Sequence, residues 1–417
     1  MAFDTQPNSM PQEAPDLTPI LADRLSSVKA SPSMAARSRV SALRSAGKEI
    51  ADFTIGEPDF PTPGHIVAAG VDALRNGQTR YTASSGTPAL RRAICDKLAR
   101  ENQLSFTPDQ VVVGSGAKQV IYNALCASLN EGDEVIVPAP YWVSYPDMVA
   151  INGGVPVIVA NGPASGFKLT PQSLQAAITP KTRWLILNSP NNPSGAVYSE
   201  AELRALVEVL MRHPDIWLMT DEIYEHYVYG SASHVSILQV EPALATRTLI
   251  VNGMSKSYAM TGWRIGYGAG PRSLVVAIEM LLSQSTSCAA AMSQAAAVAA
   301  LQGAQQCVAD AVAEFSARRD RMVEMLNEVP GIDCSAPDGA FYCFPSVGGL
   351  FGKTGRNRKP LTSDLDVMLF LLEEAGVASI DGTSYGMPAF LRMSFATSID
   401  QIEQGCRRIR AACATLR

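Results

Sequence analysis

Val251-Asn-Gly-Met-Ser-Lys256-Ser-Tyr-Ala-Met-Thr-Gly262-Trp-Arg264-Ile-Gly-Tyr-Gly268 carries one lysine eight residues before an arginine, in a run thick with small residues. Leu249-Ile-Val reads as the end of a buried strand and Arg264-Ile-Gly-Tyr-Gly as the start of the next, so Lys256 and Arg264 share a non-helical crossing. Small residues there let a ligand approach the backbone. A lone lysine is most often a solvated surface charge. Beside a fixed cation its amine pKa falls, which favours Schiff-base formation with an aldehyde, while an arginine fork suits a phosphate. Lys256 and Arg264 together therefore point to an aldehyde that carries a phosphate.

The run Gly253 to Gly266 resembles the pyridoxal-phosphate attachment signature of class I aminotransferases and matches it at every restricted position. The resemblance extends from about Ala30 to Ala411. It is nearest the bacterial aspartate aminotransferase subgroup, through Asn188-Ser-Pro-Asn-Asn-Pro-Ser-Gly195 and Thr220-Asp-Glu-Ile-Tyr-Glu-His226. It implies a fold type I enzyme in which Lys256 forms the Schiff base and then carries a proton between the substrate Cα and the C4′ of pyridoxal 5′-phosphate. The product is a 2-oxo acid, and the reverse half-reaction aminates a second one.

The chain has 417 residues, which predicts more than one domain. Hydrophobic residues make up 47%, charged residues 18%, and the net charge is -5, so neither disorder nor a nucleic-acid surface is indicated. Eight cysteines without a C-x-x-C pair and four dispersed histidines argue against zinc and against a disulfide framework. The first residues lack the basic start and apolar core of a secretory signal, and a cytoplasmic protein with a loose arm over 1–25 is expected.

Seven short apolar runs alternate with helical spacing: Gln110-Val-Val-Val, Glu134-Val-Ile-Val, Val155-Pro-Val-Ile-Val, Trp184-Leu-Ile-Leu, Ile216-Trp-Leu-Met, Leu249-Ile-Val and Ile265-Gly-Tyr-Gly. They predict an α/β large domain, residues 65–309, with a mostly parallel sheet whose strands are buried on both faces by helices. Residues 26–64 and 310–417 are assigned to a smaller α+β domain. An alanine-rich helix, Ala289 to Leu301 and then Val308 to Asn327, leaves the sheet region, its small side chains suited to close helix packing. Ligands in parallel sheets collect at the carboxyl ends of strands, where the motifs of this chain recur.

Gly114-Ser-Gly116-Ala117-Lys118-Gln119 is a tight glycine turn opening a helix, whose free N–H groups suit one phosphate. It fails the dinucleotide fingerprint because Gln119 stands where the third glycine should be, which opposes a nicotinamide dehydrogenase. About 55 residues without a helix-turn-helix pattern precede Gly56, which opposes a DNA-binding regulator.

Each remaining residue admits two readings. Trp142 is core, or a flat indole to stack on a pyridine ring. Asn192 serves the turn between Pro190 and Pro193, or donates to a phenolate oxygen. Asp221 caps a helix, or is a buried carboxylate paired with a protonated ring nitrogen. Tyr224, three residues on, faces the same side as Asp221 if a helical turn begins there. Arg392, inside apolar Leu391-Arg-Met-Ser-Phe395, is in a salt bridge or grips a substrate carboxylate. Tyr81 is a half-buried packing residue, and the prolines after Gly56 punctuate a turn.

The resemblance assigns the second reading throughout. It implies that Gly116, Ala117, Ser255 and Arg264 help hold the cofactor with Lys256, Asp221, Tyr224, Asn192 and Trp142, and that the Gly56 backbone borders the substrate. Tyr81 would serve the cofactor phosphate of a neighbouring subunit, with Thr286 nearby, making a homodimer. The region Ser283 to Ala290 lacks the arginine that other members use for a distal carboxylate. Lys118 with Ser31 and Ser33 would take that task, giving a preference for aspartate with 2-oxoglutarate, tolerance of aromatic donors or prephenate, and no metal. A lyase on the same fold stays open, because proton removal at Cα does not fix the product.

Overall fold

A computed structural model of the protein describes residues 22–27, 32–355 and 360–417. Its strands, in chain order, are β1 Ala51–Asp52, β2 Val111–Gly114, β3 Glu134–Ala139, β4 Val155–Ala160, β5 Thr182–Asn188, β6 Trp217–Asp221, β7 Thr248–Gly253, β8 Gly266–Ala269, β9 Tyr342–Cys343, β10 Val377–Ala378, β11 Ile380–Asp381 and β12 Leu391–Ser394. Seven of them form one sheet in the order β2-β8-β7-β6-β5-β3-β4. Only β8 runs against its neighbours, β2 and β7; all the other pairings are parallel. The mostly parallel sheet expected from the seven apolar runs is present.

Period-two alternation explains why it needs helices on both sides. Val111 and Val113 of β2, Ile136 of β3 and Leu185 and Leu187 of β5 enter one apolar cluster with the helices Gly64–Arg75 and Pro88–Asn102. Val112, Val135, Val137, Trp184 and Ile186, the alternate positions, enter another with the helices Ala117–Ser128 and Arg272–Ser285. The exception is β4, expected to be buried like the rest. It is the edge strand, and Val155 and Ile158 are 47% and 42% exposed.

A three-stranded antiparallel sheet, β11-β12-β9, and the parallel pair β1-β10 lie outside this sheet. Their apolar cluster, with Phe53, Phe315, Phe341, Leu391 and Phe395, also contains Tyr224 and Tyr227 from the segment after β6, so it reaches the carboxyl end of the large sheet. The alanine-rich stretch is two helices, Ala291–Gln302 and Gln306–Asn327, rather than one. They part at Gly303, where a Cβ would stand 2.6 Å from the Ala299 carbonyl and 2.8 Å from His65. β10 and β11, one residue apart in the chain, pair in different sheets. No helix among the described residues is long and apolar enough to cross a membrane.

Candidate active site

A cavity of about 270 Å³ opens at the carboxyl ends of the strands and is lined by residues from eight separate stretches of chain. Ala117, Lys118, Trp142, Asn192, Asp221, Tyr224, Ser255, Lys256, Arg264, Arg392 and Gly56 all border it, so residues up to 338 positions apart in sequence share one space.

Its floor is set by the ends of β5, β6 and β7. Asn188 pairs with Asp221, and its side-chain amide donates to the Asp221 carbonyl at 2.9 Å, while its oxygen accepts from the Asn192 N–H at 2.9 Å. That one side chain therefore fixes both the strand end and the turn carrying Asn192. The Asp221 carboxylate accepts from the Tyr145 hydroxyl at 2.6 Å and from the Ile223 N–H at 3.3 Å. Burial raises its pKa to about 6 against these hydrogen bonds, which pull the other way. The segment that follows is a pair of tight turns, with Glu225 N–H donating to the Glu222 carbonyl and Tyr227 N–H to that of Tyr224, instead of the expected helical turn. The Glu222 N–H donates to the Val251 carbonyl at 2.9 Å, which ties this segment to the end of β7. Tyr224 still reaches the cavity, where its hydroxyl lies 3.0 Å from that of Tyr342.

Lys256 sits on the crossing between β7 and β8. Its carbonyl accepts from the Tyr227 hydroxyl at 2.8 Å, and its Nζ donates to the Gly56 carbonyl at 2.5 Å. Burial lowers its pKa to about 8, with Arg392 and Arg264 adding to the depression and Glu57 opposing it. A lysine and an aspartate in one cavity are thus displaced toward each other.

Arg264 ends the crossing in the left-handed region, φ 55°. Its guanidinium donates to the Thr261 carbonyl at 2.8 Å and to that of Ser115 at 3.3 Å, and lies so close to Gly116 that a Cβ there would be 2.3 Å from Nη2. Gly116, at φ 92°, is therefore required twice, by its backbone angle and by Arg264. The helix Ala117–Ser128 begins at this point without a side-chain cap, leaving N–H groups next to a fixed cation.

Trp142 meets Tyr145 edge to face at 5.3 Å, and the Lys118 amine lies 4.7 Å from its ring centre. Burial and the Arg264 charge lower the Lys118 pKa. Arg392, 3% exposed on β12, donates to the Thr54 carbonyl at 2.7 Å and to Asn192 Oδ1 at 3.4 Å; its buried Nε has no hydrogen-bond partner. No carboxylate neutralises it through a salt bridge among the described residues, which disposes of the intramolecular pair as the reason for its burial.

Tyr81 is 88% exposed, borders a different surface hollow with Cys288 to Met292, and does not line this cavity. Tyr81 is therefore not a half-buried packing residue. Thr286 accepts from Gln119 at 2.9 Å and is likewise outside the cavity lining. Ser31 and the Ser33 side chain lie outside the described residues. Thr54, Glu57, Tyr145, Asn188, Thr261 and Tyr342 also line the cavity and were not singled out in the sequence. Tyr145, three residues after Trp142, and Glu57, next to Gly56, had motif neighbours that pointed to them; Thr54 and Tyr342 had none.

A doubly covered, mostly parallel sheet that delivers a depressed lysine, a raised aspartate and a buried arginine to one cavity has the architecture of the fold type I aminotransferases. The profile of the family described as aminotransferase class I and II matches residues 48–409. The chain is 51% identical over 396 residues to the aspartate/prephenate aminotransferase of Cereibacter sphaeroides, spanning 95% of this chain and 99% of that protein. It is 49% identical over 395 residues to an aspartate aminotransferase of Rhizobium meliloti, spanning 95% and 96%. The crystal structure of the aspartate aminotransferase from Rhizobium meliloti superposes with a TM-score of 0.93 at 48% identity, over 95% of this chain and 99% of that one. That of Thermus thermophilus with maleate gives 0.88 at 39% identity, over 94% and 99%. The chain belongs to the class I and II aminotransferase family.

Proposed function

We propose that this aminotransferase uses pyridoxal 5′-phosphate to move the amino group of L-aspartate to 2-oxoglutarate. The observation that carries the reading is the single cavity that brings Lys256, Asp221 and Arg392 together, with burial moving Lys256 down to about 8 and Asp221 up to about 6. The residues fit the cofactor. A capless helix start beside Arg264 suits its phosphate, and a buried carboxylate at Asp221 suits a protonated ring nitrogen. When bound, the cofactor supplies an electron-accepting ring for the pair left at the substrate Cα.

Lys256 is the anchoring amine and afterwards the base that removes the Cα proton; near pH 8 a useful fraction of it is neutral. Asp221 keeps the ring nitrogen protonated. Asn192 and Tyr224 donate toward the phenolic oxygen, Trp142 flanks the ring, and Gly116, Ala117, Ser255 and Arg264 hold the phosphate. Arg392 takes the substrate α-carboxylate, for which the vacant hydrogen-bonding capacity of its Nε is one support. Gly56 borders the substrate. Lys118, with Ser31 and Ser33, meets the distal carboxylate; Lys118 reaches over Trp142 at the cavity edge.

Tyr81 and Thr286 serve the cavity of a second copy, consistent with the exposure of Tyr81, and the active unit is a homodimer. The chain divides into an arm over 1–25, a large unit over 65–309 and a small one over 26–64 and 310–417. The protein works in the cytoplasm.

Aspartate with 2-oxoglutarate should yield oxaloacetate and glutamate in equal amounts. Pyruvate plus ammonia, or carbon dioxide, would identify a lyase instead. A second reading, prephenate or aromatic donors, is favoured by the name of the Cereibacter sphaeroides relative, and a donor panel followed by cofactor absorbance separates the two.

A further inference from the structure

Tyr342 has no part in the roles above, yet it touches two of the groups that carry them. It opens β9 and stands opposite Ser394 of β12, two residues along from Arg392. Its ring centre is 4.5 Å from the Arg392 guanidinium carbon, its hydroxyl 3.0 Å from that of Tyr224, and the residue is 1% exposed. A Cβ on Gly56 would stand 3.4 Å from the same hydroxyl, so Tyr342 also borders the loop that accepts from Lys256.

Two hydroxyls at hydrogen-bond distance share one hydrogen, and only one of them donates to the other. If Tyr224 donates, its hydrogen is spent on Tyr342. If Tyr342 donates, the Tyr224 hydrogen is left for the cavity. A guanidinium against the face of a phenol ring withdraws charge toward itself and strengthens that hydroxyl as a donor. Arg392 acts on the Tyr224 hydroxyl as well, but it lies directly against the ring face of Tyr342, and that contact favours the second arrangement.

We propose that Tyr342 is a positioning residue that donates its hydroxyl hydrogen to Tyr224, freeing the Tyr224 hydrogen for the phenolic oxygen of the cofactor and tying that bond to the charge on Arg392. This rests on the roles given above to Tyr224 and Arg392. Hydrogen bonds in a chain polarise one another, so the Tyr342 bond makes Tyr224 the stronger donor. Burial holds Tyr224 in its neutral, donating form. The ionisable groups facing it are Tyr342 on β9, Arg392 on β12 and Asp221 on β6, with Lys256 on the crossing after β7 at 5.9 Å from its ring.

The test is the visible absorbance of the loaded, substrate-free enzyme as a function of pH, which reports the protonation of the chromophore without turnover. A donor to the phenolic oxygen favours its ionised form and lowers the midpoint. Tyr342→Phe keeps the ring against Arg392 and removes the donor, so the midpoint should rise by roughly half to one pH unit. Fluorotyrosine placed at 342 is almost the same size but more acidic, and should move the midpoint down. In a Tyr224→Phe background neither change at 342 should move it further, because the route is broken. A midpoint that responds to Tyr224→Phe but not to either change at 342 overturns the inference. A midpoint that ignores Tyr224→Phe as well overturns the role of Tyr224 itself.

Discussion

The Tyr145 hydroxyl donates a 2.6 Å hydrogen bond to Oδ2 of Asp221, and this bond is the main polar support of a carboxylate that burial would otherwise push above its pKa of about 6. Tyr145→Phe leaves the ring in place against Trp142 and removes only the donor. The Asp221 pKa should rise further, so that a smaller fraction of it is ionised to pair with a protonated ring nitrogen. A loss of about 0.5–1.5 kcal/mol corresponds to a two- to tenfold fall in kcat, measured at saturating aspartate. An unchanged kcat and unchanged cofactor affinity would remove Tyr145 from the account.

The lowered pKa of Lys256 makes a prediction for the enzyme stripped of cofactor. Only the neutral amine attacks an aldehyde. Since burial brings the pKa down to about 8, the rate of cofactor capture should climb about tenfold per pH unit below that point and level off above it. A rise that continued to the ordinary lysine value near 10.4 would show an amine that the site does not perturb. Stopped-flow absorbance after mixing with pyridoxal phosphate gives the profile directly.

Lys118 lies at the second position of its helix, where the dipole disfavours a cation, and its amine is instead drawn over the Trp142 ring at 4.7 Å. Lys118→Ala should cut kcat/KM for aspartate by roughly 10–100-fold, the worth of one charged hydrogen bond at about 1.5–3 kcal/mol, while changing aromatic donors much less. Equal losses for both donor types would assign Lys118 to the cofactor or the fold.

The sheet was legible because its strands are short apolar runs at the alternating spacing that a doubly covered parallel sheet demands. Burial of β4 was overread because edge and centre strands share the same composition when the edge carries Val and Ile. The helix break at Gly303 was hidden for another reason: an alanine-rich pattern runs through it, and the close approach of His65 that requires a glycine is a tertiary fact.

At the site, residues embedded in a dense local motif, such as Lys256, Asn192 and Asp221, were readable. Tyr342 and Thr54 were not, because each acts through a partner far along the chain, Tyr342 through Tyr224 and Thr54 through its carbonyl to Arg392. The same holds for a buried network behind the crossing. Lys97 pairs there with Glu225, Asn252 donates to Glu225 at 2.7 Å, and His226 sits between Ser257 at 2.7 Å and Glu101 at 3.0 Å. Lys97 looks like any helix-surface lysine in the sequence, yet it is 1% exposed.

The central claim is that Lys256 is the amine that bonds the cofactor. Reduction of the loaded enzyme with borohydride, followed by peptide mapping, should find the pyridoxyl group on Lys256 alone. The Lys256→Ala protein, treated the same way, should carry no label and should not transaminate. A label on Lys118 or any other lysine in the unaltered enzyme would contradict the account.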